Sequence, residues 1–322
     1  MANEPQRALL TRGKYRTFAP NFRALKQAET TAPFSLGAKL RDVAALFKLR
    51  LASLVVFSAV LGYLLGPEPV IWLNFTALCL GGFLLTGASN GLNQVWERNL
   101  DVFMDRTKDR PIPSGRMSVK EALIYSVLAG VAGLGVLFMV NSRCGILGAL
   151  ALFSYVFIYT PMKQRSSLAV FVGAFPGAIP PMLGYVAATN AFGVEAGSLF
   201  AVQFMWQFPH FWAIAWVAHD DYAKAGFRLL PFKEGRSRRT AFQILLYSLF
   251  LIPVSLLPWA LPSVAPLVGD IAMVGAVLLG LGFAWFAWRL HVNQNDQAAR
   301  ALMFASFAYL PLIQILYVID KT

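Results

Sequence analysis

Nine apolar stretches follow one another along the chain, at roughly 46–66, 71–96, 120–140, 144–162, 168–188, 197–218, 240–261, 266–288 and 299–319. Each is near the ~20 residues that an α-helix needs to cross the hydrocarbon core of a bilayer. The pattern predicts an all-α polytopic membrane protein: nine transmembrane helices in one bundle, residues 46–322, with a cytoplasm-facing chamber. A basic tail and interfacial helix, residues 1–45, precede it. Within 38–50, Leu40, Val43, Leu46 and Phe47 alternate with Lys39, Arg41, Asp42 and Lys48, the pattern of an amphipathic helix lying at the membrane surface. Prolines fall inside several spans: Pro176, Pro180 and Pro181 in the fifth, then Pro209, Pro253, Pro258 and Pro311. Kinked or broken helices are expected there.

Composition supports this reading. Of 322 residues, 57% are hydrophobic and 14% charged, and mean hydropathy is +0.57, too apolar for a soluble domain of this length. The net charge of +12 would suggest nucleic acid in a soluble protein, but its distribution suggests a membrane. Threading nine spans puts 26 of the 28 Lys and Arg residues on the amino-terminal side, leaving Arg143 and Lys321 opposite. That asymmetry places the amino terminus in the cytoplasm. The first 40 residues lack the apolar core of a signal peptide. A bacterial cytoplasmic membrane is the simplest setting, with the mitochondrial inner membrane as the other. Cys79 and Cys144 sit in apolar runs without metal-ligand spacing and read as packing.

Against this apolar background the acids stand out. Asn93, Glu97, Asp101, Asp105 and Asp109 recur every four residues through the end of the second span, and so share one helix face. Carboxylates at such depth need compensation and are functional candidates. Arg106, Lys108, Arg110 and Arg116 follow at once. Oxygen ligands beside cations suit a magnesium–diphosphate cradle; helix-surface ion pairs at a wet helix end are the plainer reading for Asp105 and Asp109. The sixth span ends in Asp220-Asp221-Tyr222, where carboxylates oppose the helix dipole and call for a positive partner. Lys163 and Arg165 follow Tyr159 after the fourth span, as diphosphate ligands or as lipid-phosphate anchors. His210 lies in the run Trp206-Gln-Phe-Pro-His-Phe211, either packed or facing a substrate. Tyr155, Tyr159, Tyr185, Trp206 and Phe211 are candidates for an aromatic pocket that stabilises a carbocation.

Together these motifs resemble the intramembrane prenyltransferases of the UbiA type, and among them the branch that farnesylates haem. The resemblance rests on Asn93/Glu97/Asp101, the loop from Arg106 to Gly115, Tyr159-Thr-Pro-Met-Lys163, the run Gly173 to Pro181, Trp206 to Phe211, and Asp220-Asp-Tyr-Ala-Lys-Ala-Gly226 with Leu230-Pro231. Departures are Glu97 where the superfamily usually has Asp, His210 where many relatives have the first Asp of the second motif, and Leu49 in place of a proline. The resemblance implies farnesyl transfer from farnesyl diphosphate to the 2-vinyl group of haem b, with water added. It implies two Mg2+ ions held by Asn93, Glu97, Asp101, Asp220 and Asp221. Lys48, Arg50, Arg106, Arg110, Tyr159, Lys163 and Arg165 are then expected on the diphosphate, and Trp206, Tyr185, His210 and Phe211 around haem or the prenyl chain. Haem b is substrate here, not cofactor. Further partners are the lipid bilayer and an enzyme that oxidises haem O or assembles an oxidase; no nucleic acid is expected. A quinone-precursor prenyltransferase and an ion-coupled transporter are the alternatives.

Overall fold

The computed structural model describes residues 35–67, 69–260 and 266–322; most of the basic tail lies outside these. Leu40–Thr322 form one compact unit. Among the described residues the structure is helical, apart from an isolated bridge between Val268 and Lys321. Its helices are α1 (Leu36–Phe47), α2 (Leu49–Leu64), α3 (Trp72–Asp101), α4 (Val119–Val140), α5 (Ser142–Met162), α6 (Ala169–Thr189), α7 (Val194–Val217), α8 (His219–Lys224), α9 (Arg238–Ser255), α10 (Leu257–Ala260), α11 (Asp270–Asn293) and α12 (Asp296–Ile319).

Seven helices are long and apolar enough to cross a membrane, or eight if the bent pair α1–α2 counts as one span. α7 is as long, with 24 residues, but falls outside that set. It carries Gln203, Gln207, Pro209 and His210 mid-helix, and both glutamines are buried against the bundle. Large apolar side chains such as Leu73, Leu128, Met139, Ile271 and Phe304 face outward, as they do where lipid is the solvent. The chain is a multi-pass membrane protein.

The bend between α1 and α2 is 51°, at Lys48, whose φ of 50° lies in the left-handed region. No proline is needed for it. The carbonyls left free at the end of α1 are taken by α3: Asn90 Nδ2 donates to Phe47 O at 3.1 Å, and Gln94 Nε2 to Leu46 O at 2.7 Å.

The prolines, by contrast, do not break their helices. α6 runs unbroken through Pro176, Pro180 and Pro181, as do α7 through Pro209 and α12 through Pro311. The carbonyl that Pro181 deprives of its donor, four residues back at Gly177, receives Gln203 Nε2 from α7 at 2.7 Å. A neighbouring helix thus satisfies the freed group. Gln203 Oε1 accepts from Ser58 of α2 at 2.7 Å and from Gln314 of α12 at 2.9 Å, so one buried network joins α2, α6, α7 and α12. Only beyond Pro253, at Leu256, does a proline-bearing helix stop.

α2 and α6 pack backbone to backbone. A Cβ at Gly184 would overlap the Ala59 carbonyl, and one at Gly62 the Pro181 carbonyl, the close approach that small residues permit in membranes. Gly184→Val is expected to cost about 3 kcal/mol or more by overpacking, read as a lowered Tm in detergent. Gly135→Ala, where an added Cβ meets nothing within 4 Å, should be neutral or stabilising by up to about 1 kcal/mol. Equal Tm values for the two variants would refute this close packing.

Candidate functional site

The four-residue spacing on α3 puts Asn93, Glu97 and Asp101 on one face, buried to 1%, 3% and 0% exposure. Ionised carboxylates there require positive partners, and each has one. Lys163 Nζ donates to Glu97 Oε1 at 2.7 Å, and Lys163 is itself buried. Arg110 Nη1 donates to both oxygens of Asp101, at 2.9 and 2.8 Å. Thr107 Oγ1 donates to the Asp101 carbonyl, fastening the loop under the helix end. Lys48, at the α1–α2 bend, lies within the field of all four charges.

A π-helical turn in α5, Ser154–Tyr159, presents Lys163. Such single turns recur at functional sites because they re-aim the side chains that follow. Thr160 Oγ1 donates to Tyr155 O and accepts from Asn93 Nδ2 at 3.2 Å. The ammonium of Lys163 sits 4.7 Å from the Tyr159 ring centre and 5.8 Å from that of Phe227. Tyr159 lies flat against Gly173, where a Cβ would come within 2.6 Å of the ring.

The second acidic motif meets the first through the loop after α3. Asp221 accepts from the backbone amides of Asp105, at 2.9 Å, and Arg106, at 3.4 Å. Arg106 donates to Tyr222 Oη at 2.8 Å, with its guanidinium 4.6 Å from that ring's centre. Lys224 bridges Asp221 and Asp105, and Lys108 completes the latch. Lys224 and then Lys108 hold the Asp105 carboxyl down to about 2. Burial disfavours ionisation of Asp221, but the two amides and Lys224 outweigh it, and its carboxyl is lowered. Asp105 thus stays ionised well below neutral pH, and its part of the latch is lost only as pH falls from about 4 through 2.

The other expected residues are more scattered. Asp220 is 79% exposed and pairs with Arg236 at 3.2 Å, apart from the buried quartet. Arg50 is exposed on the first turn of α2, and Arg165 lines a separate cleft. Tyr185 lies sixteen residues along α6 from Ala169, ~24 Å from the ionic end at 1.5 Å per residue. Trp206 and His210 stack at 4.3 Å, with Phe211 beside them. Both are tied to α12, Trp206 Nε1 to Ser306 O and His210 Nδ1 to Ser306 Oγ at 2.8 Å. Tyr222 and Thr160 were missed as site residues. Their positions within the Asp-Asp-Tyr and Tyr-Thr-Pro motifs were the available signal.

Among the described residues, no three His, Cys, Asp or Glu side chains gather to hold a metal by themselves. Two carboxylates and an amide on one face, all oxygen donors, fit a hard divalent cation whose remaining ligands are phosphate oxygens. Lys163 and Arg110 supply the compensating charge in its absence.

Residues 55–309 match the UbiA prenyltransferase family. The chain is 50% identical over 282 residues to a protoheme IX farnesyltransferase of Christiangramia forsetii, covering 88% of this chain and 94% of the relative. It is 47% identical over 283 residues to that of Flavobacterium johnsoniae, covering 87% and 94%. A solved structure described as giving insights into the biosynthesis of digeranylgeranylglyceryl phosphate synthase in membranes matches with TM-score 0.73 at 16% identity, over 88% of this chain and 98% of that one. A UbiA homolog from Archaeoglobus fulgidus bound to DMAPP and Mg2+ matches with TM-score 0.61 at 15% identity, over 84% and 99%. At these identities the structures share the fold.

Arg110→Met should destabilise the protein by about 3–5 kcal/mol, because Asp101 is left buried and unpaired. Arg116→Met, which breaks an exposed pair with Asp42, should cost less than about 1 kcal/mol. Unfolding in detergent checks both, and similar losses would refute the distinction. In hydrogen exchange, Asp221→Ala should expose the Asp105 and Arg106 amides about tenfold or more, as a lost charge-assisted hydrogen bond implies, while Asp220→Ala leaves them protected.

Proposed function

The chain belongs to the UbiA prenyltransferase family, and we propose that it transfers the farnesyl group of farnesyl diphosphate to the 2-vinyl group of haem b, with addition of water, giving haem O and diphosphate. The names of its relatives support the substrates. The observation that carries the chemistry is the buried quartet of Glu97, Lys163, Asp101 and Arg110, gathered from three segments at one end of the membrane helices.

In this reading Asn93, Glu97 and Asp101, with Asp220 and Asp221 from the second motif, hold two magnesium ions together with the diphosphate. Bound magnesium acts as a Lewis acid that stabilises the departing diphosphate. Lys163 and Arg110, already drawn in by the carboxylates, donate charge-assisted hydrogen bonds to its oxygens. Lys48, Arg106 and Tyr159 close the anion site around them, and Arg50 and Arg165 steer the anion from outside. The farnesyl chain runs into the apolar interior, where the faces of aromatic rings stabilise the allylic cation and the packed helices exclude water that would quench it. Trp206, His210, Phe211 and Tyr185 form the aromatic wall of that chamber. The vinyl group supplies the electrons that form the new bond. No side chain acts as a nucleophile in this reading.

The same reading completes the topology. α7, sixth in chain order, brings the spans to nine, the amino terminus and the chamber face the cytoplasm, and the tail and interfacial helix, 1–45, precede the catalytic domain, 46–322. The membrane is a bacterial cytoplasmic membrane, and an enzyme that oxidises haem O or assembles an oxidase receives the product.

Purified protein incubated with haem b, farnesyl diphosphate and Mg2+ should yield a haem heavier by one farnesyl and one hydroxyl group, identified by mass spectrometry. EDTA should abolish it. Asp101→Ala should lower turnover at least ~100-fold, as expected when a charge-stabilising group is lost. Unimpaired turnover in EDTA would sink the metal-assisted reading. A product built on a quinone precursor, with haem untouched, would reassign the acceptor.

A further inference from the structure

A cleft of about 500 Å3 lies beside the buried quartet, between the turn after α5, the end of α7 and the loop after α8. Its size suits a small molecule. Three cations border it: Arg165, Arg228 and Lys233. None makes a side-chain hydrogen bond or ion pair with a described residue. Several neighbouring cations are engaged: Arg106 with Tyr222, Arg110 with Asp101, Lys163 with Glu97, Lys224 with Asp105, Arg236 with Asp220 and Arg239 over the Phe232 ring. Three unpaired positive charges therefore border this one cleft. Its walls are mixed: Ala215, Leu229, Leu230 and Phe232 form an apolar part, with Ser166, Ser167 and His219 beside them. A free phosphate would need the cations but not those walls. The occupant that uses both is flat, apolar and anionic along one edge.

The cleft and the proposed diphosphate site share two aromatic residues. Tyr222 and Phe227 line the cleft, and Arg106 lies 4.6 Å from the Tyr222 ring centre and Lys163 5.8 Å from that of Phe227. The loop behind it turns at Gly226 and Gly235, with φ of 73° and 65°. Gly235 lets His219 lie close, since a Cβ there would come within 2.9 Å of the imidazole.

We propose that this cleft is the docking site for the acceptor, a tetrapyrrole dicarboxylate, with Arg165, Arg228 and Lys233 receiving its two carboxylates. Protohaem carries its carboxylates on the edge opposite its vinyl groups. Anchoring them at the cationic border turns the vinyl edge toward Tyr222, Phe227 and the prenyl donor. The inference rests on the functional reading above and assigns a place to its second substrate.

The double variant Arg228→Gln/Lys233→Gln tests it in purified full-length protein. The KM for haem should rise at least tenfold, with kcat and the KM for farnesyl diphosphate within twofold of wild type. Wild type should favour haem over its dimethyl ester at least tenfold, and the variant should lose that preference. Arg228→Lys should keep most of it. A haem KM within twofold of wild type in the double variant, or equal KM values for haem and its ester in wild type, overturns the proposal. If wild type farnesylates neither, the functional reading fails instead. Absorbance titrations of haem and ester into both proteins, which need no turnover, then decide whether the cleft binds the carboxylates.

Discussion

Two carboxylates buried at the end of a membrane helix set the terms for everything around them. Glu97 and Asp101 are within a few per cent of complete burial, and the cost of such charges is several kcal/mol each unless it is offset. The offset comes from two other parts of the chain, the α5 terminus and the loop after α3. The π turn that delivers Lys163, the threonine that pins it, and the hydroxyl of Thr107 beneath Asp101 all follow from that need. A site built this way has its charges in place before substrate arrives. Binding an anion then exchanges partners among fixed groups instead of assembling them.

The second acidic motif has a different part. Asp221 works on the backbone, holding the amides of Asp105 and Arg106, so the end of α7 and the loop after α3 are clasped together. Arg106 and Tyr222 meet across that clasp. The two motifs are joined through a loop, by the Asp221 contacts and by Arg106 on Tyr222.

Much of this was legible in the sequence because it is local. Apolar runs of spanning length mark the helices, and a four-residue repeat marks one helix face; neither depends on what the rest of the chain does. The dense basic loop beside Asp101 marked Arg110 as a diphosphate ligand, and its pairing with Asp101 itself was not read there. What the sequence concealed is tertiary. No spacing says that Lys163 reaches Glu97, or that Asp220 turns outward to Arg236 while its neighbour turns inward. The prolines misled because their cost depends on neighbours: Gln203 satisfies Gly177 O, and α6 stays whole. The bend came instead at Lys48, where Asn90 and Gln94 hold the freed carbonyls. α7 reads as apolar along the chain, yet its polar residues form the network at the middle of the bundle.

The distance along the chain between each acid and its counter-ion has a consequence for biosynthesis. Asp101 meets Arg110 nine residues later, almost as soon as α3 is made. Glu97 must wait for Lys163, sixty-six residues on, with α4 and α5 still to be threaded. During that interval its carboxylate lacks the partner that offsets its burial in the finished bundle. The ionic centre of the site is therefore complete only once the fifth helix has joined the third.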